Sequence, residues 1–277
     1  MQAPQPILIT HLFPEILSAL LELLDNLRAP DWQAPTICDG WTVKDIALHL
    51  LAVEISNLSR KRDGHSLQPP QPLRTAADLL AFINELNDSW MQAARRISAP
   101  LLIDLLHFTG QQTNEYFASL DPFTLGEPVS WVGPEPAPVW LDLAREYTER
   151  WHHQQHIRDA VGQPGLKTPH YLEPVLDTFA RAMPHTYRQV AAPVGTSITL
   201  TLTGPGGGRW TVQQEGAGWQ LYSGAPDNPA AEVLMAGDDA WRLFTGGLEP
   251  FELHERVEIR GNAQLGAQVL EMVSIIA

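Results

Sequence analysis

Residues 31–54 read DWQAPTICDGWTVKDIALHLLAVE. Thr42 and Asp45 have the S/T-x-x-D/E spacing with which side chains close the N-terminus of a helix. The residues after Asp45 are apolar nearly all round: Ile46, Leu48, Leu50, Leu51 and Val53 surround His49. That pattern predicts a largely buried helix over about 42–58. A neutral imidazole inside it needs a polar partner. A backbone carbonyl is the commoner partner, and a metal ion is the other way to supply one.

Outward from this helix, residues 1–190 read as helix after helix. Residues 7–28 are dense in Leu and Ile, with Pro14 early enough to sit near a helix start. Gly64 and the prolines up to Pro72 end the helix of His49; Thr75 and Asp78 repeat the capping spacing and open a third, to about Ser98. Residues 101–119 are predicted helical apart from Gly110. A proline-rich stretch from Pro122 to Pro138 precedes a long helix, 139–161, closed by Gly162. One more helix is expected over about 170–190.

At Ala191 the texture changes. SITLTLTG alternates as a half-buried strand does, and RWTVQQEGAGWQLYSG reads as a hairpin turning at Glu215–Gly218. AEVLMAG and RVEIRGN read as further strands, DDAWRLFTGG as a short helix, and AQLGAQVLEMVSIIA as a terminal one. The expected division is a helical domain at 1–190 and an α+β domain at 191–277. GPGGGRW at 204–210 lacks the Lys-Ser/Thr and following helix of a phosphate loop, and turn chemistry explains it.

Composition narrows the partners. The chain has 277 residues with 18 basic against 32 acidic side chains, a formal charge of -14. A general basic surface for nucleic acid or an anionic membrane is excluded on that balance. No uninterrupted apolar run of about 18 residues exists to span a bilayer. The start, MQAPQPILITHLFPE, lacks the basic residues of a secretory signal. One cysteine, Cys38, cannot form a disulfide within the chain. These features predict a cytoplasmic protein without nucleic-acid or membrane partners; a small-molecule substrate and a monomer or homodimer are expectations that composition does not itself supply.

The long helix carries the chemistry. It contains EYTERWHHQQHIRDAVG, residues 146–162. Glu149 and His153, four apart, project from one face as a half-site for a divalent metal, and His156 lies on the same stripe. His152 and His156 share the same spacing, so spacing alone leaves the pair open. A solvated polar face is the bland reading of HHQQH. The apolar stripe Trp140, Leu143, Tyr147 and Trp151 runs roughly opposite, so a metal site requires this helix to be buried on two sides.

Trp32, Pro35, Cys38, Gly40, Trp41, Thr42, Asp45, His49 and Leu50 stand in register with the pattern W…P…C…GW[TS]-x-x-D-x-x-x-H-L. On those residues the chain resembles the DinB/YfiT-like metal-binding helical bundles, in particular their mycothiol-dependent maleylpyruvate isomerase branch. The later motif of that family, E-x-x-x-H-x-x-D-I, matches at Glu149, His153 and Ile157, with His156 in place of the usual Asp. The resemblance implies a DinB-like four-helix bundle followed by a small α+β, sterol-carrier-like domain. It implies a divalent metal on His49, Glu149 and His153, zinc first with nickel or iron as alternatives. His152 becomes a neighbour of the ligands. The His156 departure implies a change in hydrogen bonding, a fourth ligand or a proton-carrying catalytic role.

Two imidazoles and one carboxylate leave an open position, as in catalytic metal sites. In the resembling family that position takes mycothiol, so the implied function is a metal- and thiol-dependent isomerase or S-transferase for a small electrophile. A metal-binding module without catalysis and a metal-dependent hydrolase using bound water are the alternatives. An acidic substrate would need a local cation, and Arg74, Arg256 and Arg260 are candidates by position, though surface arginines are the commoner reading. Cys38 reads as a small buried hydrophobe.

Overall fold

The computed structural model describes residues 1–69, 74, 76–248 and 255–272. Helices α1 (Leu12–Asp25), α2 (Val43–Ser56), α3 (Ala76–Ala94) and α4 (Ala99–Ser119) come first. A two-stranded antiparallel ribbon, β1 (Leu125–Pro128) and β2 (Pro136–Pro138), leads into the long helix α5 (Val139–Val161). Next come α6 (Pro169–Ala180) and α7 (Met183–Tyr187). The remainder is β3 (Ser197–Thr203), β4 (Arg209–Glu215), β5 (Gly218–Ser223), β6 (Ala231–Ala236), α8 (Gly237–Phe244), β7 (Glu258–Gly261) and α9 (Ala263–Ala267). A helical region followed by a sheet-containing one is the order the sequence predicts.

Backbone contacts group the chain into two compact units that do not follow chain order. One comprises Thr10–Leu120 and His153–Gln163; the other comprises Met1–Ile9, Asp121–His152 and Pro164–Ala277. Helix α5 is continuous and supplies residues to both.

In the helical unit the capping spacing is realised as a reciprocal box. The Thr42 hydroxyl accepts from the Asp45 N–H, and the Asp45 carboxylate accepts from the Thr42 N–H at 3.0 Å. The helix so started buries Val43, Ile46, Ala47, Leu48, Leu50 and Leu51 in a core shared with Leu20, Leu23 and Leu24 of α1, Leu102 and Leu106 of α4, and Ile157 of α5. Trp90 of α3 donates from Nε1 to the Leu48 carbonyl at 2.9 Å. A π-helical turn, Asn57–Arg62, extends α2 before the chain leaves it. Helix α4 runs through Gly110, where a break was expected. A Cβ at that position would stand 2.7 Å from Leu17 Cδ1, so the bare backbone admits α1 at close range. Close packing of this kind offsets the poor helix propensity of glycine.

The other unit holds a five-stranded sheet in the order β5-β4-β3-β6-β7, with β3 and β6 parallel and the other pairs antiparallel. The hairpin of β4 and β5 turns where the sequence places it. Strand β3 is central and buried from Ser197 to Leu202, so its alternation does not mark a solvated face. Its threonines are accommodated by hydrogen bonds: Thr199 shares one with Thr211 at 2.9 Å, and Thr201 donates to Glu232 at 3.0 Å. The glycines at 204–208 form the β3–β4 turn, with Gly204 and Gly206 at positive φ.

Three further readings are corrected. The proline-rich stretch contains β1 and β2, a short ribbon whose prolines need donate nothing to a wider sheet. The helix expected over 170–190 is two, α6 and α7, because Pro184 belongs to the first turn of a new helix. The terminal helix is the single turn α9 followed by a 3-10 turn, Gln268–Glu271; residues 273–277 lie outside the described ones, as does Thr75. No helix among the described residues is long and apolar enough to cross a membrane.

Candidate metal centre

Helix α5 is buried on all sides through its middle. Every residue from Trp151 to Ile157 is buried, His152, His153, Gln154, Gln155 and His156 included. The solvated-face reading of HHQQH is thereby excluded, and the requirement that the helix be covered on two sides is met. Several of the polar groups there find local acceptors. Thr148 donates to the Ala144 carbonyl at 2.9 Å, Gln154 to the Ile16 carbonyl at 3.2 Å, and Trp151 to the Leu166 carbonyl at 2.9 Å.

His152 separates from the other histidines by the same logic. Its Nδ1 lies 2.9 Å from the Thr148 carbonyl, and a carbonyl only accepts, so Nδ1 carries the proton. The ring is turned along its own helix and joins neither donor cluster.

His49 stands differently. On α2 it is half-buried among buried neighbours, and its ring centroid is 4.6 Å from that of His153 and 5.3 Å from Trp41. His49, Glu149 and His153 each present a ligand atom within 4.8 Å of the other two. Glu149, one turn before His153, is half-buried as well, while His153 is only 4 % exposed. Two imidazoles and a carboxylate are borderline donors of the kind that hold zinc, nickel or iron(II), and two of the three retain access to solvent. By chemistry and spacing the donor set fits a divalent ion.

Charges beside Glu149 are strongly organised. Arg150 donates to the Glu146 carboxylate at 2.7 Å and to the Glu146 carbonyl at 2.9 Å. Arg145 bonds both Asp142 and Glu146. Burial works to lower the pKa of Arg145, but the charges of Glu146, Asp142 and Glu149 outweigh it and push the value up. Its charge is thus held chiefly by Glu146 and Asp142, with a smaller contribution from Glu149.

His156, also 4 % exposed, forms a second cluster with Cys38 and His153. Its Nδ1 is 3.4 Å from Cys38 Sγ. The cysteine is presented by a tight turn: Trp41 N–H donates to the Cys38 carbonyl at 3.0 Å, and the Thr36 N–H and hydroxyl both donate to the Trp41 carbonyl, at 3.0 and 2.9 Å. Reading Cys38 as a plain hydrophobe missed this contact. The available signal was that Cys38 lies in the same motif as His49, and that a nitrogen donor stands at 156.

The three candidate arginines are all solvent-exposed, and two of them stand in ion pairs. Arg74 is exposed, Arg256 pairs with Asp239 at 3.2 Å, and Arg260 pairs with Glu258 at 2.7 Å and Glu232 at 3.6 Å.

The family described as the mycothiol maleylpyruvate isomerase N-terminal domain matches residues 13–158. Two crystal structures of the mycothiol-dependent maleylpyruvate isomerase share the fold, one of the enzyme and one of a histidine-to-alanine mutant. The first has a TM-score of 0.53 at 14 % identity, and the mutant has 0.51 at 13 %; each comparison covers 91 % of both chains. No protein of curated function matches the sequence.

Proposed function

The chain belongs to the mycothiol maleylpyruvate isomerase N-terminal domain family, and from that premise we propose that it is a metal- and thiol-dependent isomerase acting on a small electrophilic substrate, with S-transfer as the related outcome of the same addition. The observation that carries this reading is the donor triad of His49, Glu149 and His153, with all three ligand atoms within 4.8 Å. Mycothiol or a similar low-molecular-weight thiol is the proposed co-reactant.

His49, Glu149 and His153 would hold the divalent ion, which when bound supplies a Lewis acid that lowers the pKa of a thiol. The residues of the chain have definable tasks around it. Glu149 contributes the charge that leaves such a site near +1, and the Arg145–Glu146–Arg150 cluster fixes the turn that precedes it. His153 is oriented by burial and His49 by contact with Trp41. Leucines and isoleucines beside His49 bury α2 in the helical core, while His49 and Glu149 themselves stay half-buried, which leaves the proposed ligands within reach of a small molecule. We assign to His156 the holding and return of a proton at its imidazole, in line with its place one turn beyond His153.

The test is an assay of cis–trans isomerisation of maleylpyruvate by purified, zinc-loaded protein with and without added mycothiol. Thiol-dependent turnover that disappears in His49→Ala is the expected result. Equal turnover without thiol would overturn the thiol role.

A further inference from the structure

His153 belongs to two donor sets. The first includes His49 and Glu149; the second includes Cys38 and His156, again with one ligand atom from each residue within 4.8 Å of the other two. The second set differs in kind, because it replaces a carboxylate oxygen with sulfur. Thiolate is a soft donor that favours zinc, cadmium and copper(I), whereas carboxylate suits harder ions such as manganese(II).

The spacing within the second set also fits coordination. Sulfur at about 2.3 Å and nitrogen at about 2.0–2.1 Å from one tetrahedral ion stand roughly 3.5 Å apart. Cys38 Sγ and His156 Nδ1 are 3.4 Å apart. Both partners are held in place independently of that contact. Cys38 is fixed by the Thr36–Trp41 turn, and His156 is buried on α5.

We propose that Cys38, His153 and His156 form a second metal position, selective for soft or borderline ions. On binding, Cys38 loses its thiol proton to solvent and coordinates as thiolate, with no change of oxidation state. Sharing His153 makes this position an alternative to the first. An imidazole accepts a second ion only after losing its remaining N–H proton, so occupancy of one position opposes occupancy of the other. The inference rests on the proposed triad only through His153. It gives His156 a consequence of its own: the Asp usual at that place in the family would offer oxygen where this chain offers nitrogen.

The experiment compares cadmium(II) with manganese(II) on the full-length protein in thiol-free buffer. X-ray absorption at the metal edge counts sulfur neighbours, and the chain has one cysteine to supply thiolate. Cadmium-loaded wild type is expected to show one sulfur neighbour, absent in Cys38→Ser. Loss of even an outer partner of a metal ligand weakens binding by about 10–100-fold, so cadmium affinity should fall at least about tenfold in Cys38→Ser, with manganese affinity unchanged within about twofold. Glu149→Gln should lose manganese and keep the cadmium–sulfur contact. A cadmium-loaded wild type without a sulfur neighbour overturns the second position, whether or not the variants fold. Manganese binding in that same protein would leave the first triad standing, so the two readings fail separately.

Discussion

Helices α2 and α5 bring their donors into place by opposite means. Helix α2 is buried because it is apolar: a capping box starts it, and leucines and isoleucines carry it into the core with His49 as its half-buried imidazole. Helix α5 is buried although it is polar through its centre, with Glu146, Thr148, Arg150, His152, His153, Gln154, Gln155 and His156 all inside. Hydrophobic transfer accounts for the first burial. The second requires a hydrogen-bond or ionic partner for each group, since an uncompensated buried polar atom costs about 1–3 kcal/mol. The proposed ligand His153 lies within this polar stretch, and Glu149 stands one turn before it.

The contrast breaks most sharply at the ligands. His153→Ala removes the nitrogen common to both donor sets, and bound zinc measured by elemental analysis should fall from about one ion per chain to none. Retention of zinc by that variant would mean that His153 is not a ligand.

A second test concerns how α5 tolerates charge. The Arg150 and Glu146 side chains are 9 % and 4 % exposed and 2.7 Å apart. Breaking a buried pair by removing one partner costs about 3–5 kcal/mol, so Glu146→Gln should lower the urea midpoint markedly. An unchanged midpoint would show that the charge cluster does not hold the helix.

For α2 the expected effect is smaller and depends on pH. Burial works to raise the pKa of Asp45, but hydrogen bonds from Arg95, the Thr42 N–H and the Thr42 hydroxyl outweigh it and hold the value below the usual carboxylate range. A depressed folded-state pKa contributes stability above the unfolded value and loses it as pH falls through the folded one. Asp45→Asn should therefore cost about 1 kcal/mol at neutral pH, a figure kept low because Arg95 is half exposed. The gap from wild type should close as pH falls below about 4, and a gap independent of pH would contradict the role of the charge.

Least affected should be Gly110→Ala on α4. The added Cβ meets the end of the half-buried Leu17 side chain, which can yield, and alanine gains helix propensity. Thermal unfolding should stay within about 1 kcal/mol of wild type, and a larger loss would mean that α1 and α4 cannot adjust.

The sequence was legible where one physical force dominates. The Thr42–Asp45 box, the apolar surround of His49 and the close of α5 at Gly162 arise from local chemistry, and all are present. The strand alternation located β3 but not its central place, because that place depends on its parallel pairing with β6, remote in sequence. The β1–β2 ribbon was hidden by its prolines. Cys38 was hidden for a related reason. Its meaning lies in His156, 118 residues away, and no periodicity links a turn to a distant helix face.

The most direct measurement is the position of anomalous scattering in a crystal of zinc-loaded protein. The account predicts an ion bonded to His153 at about 2.0–2.1 Å, with its other protein ligands drawn from His49 and Glu149 or from Cys38 and His156. An ion bound without His153 would contradict it.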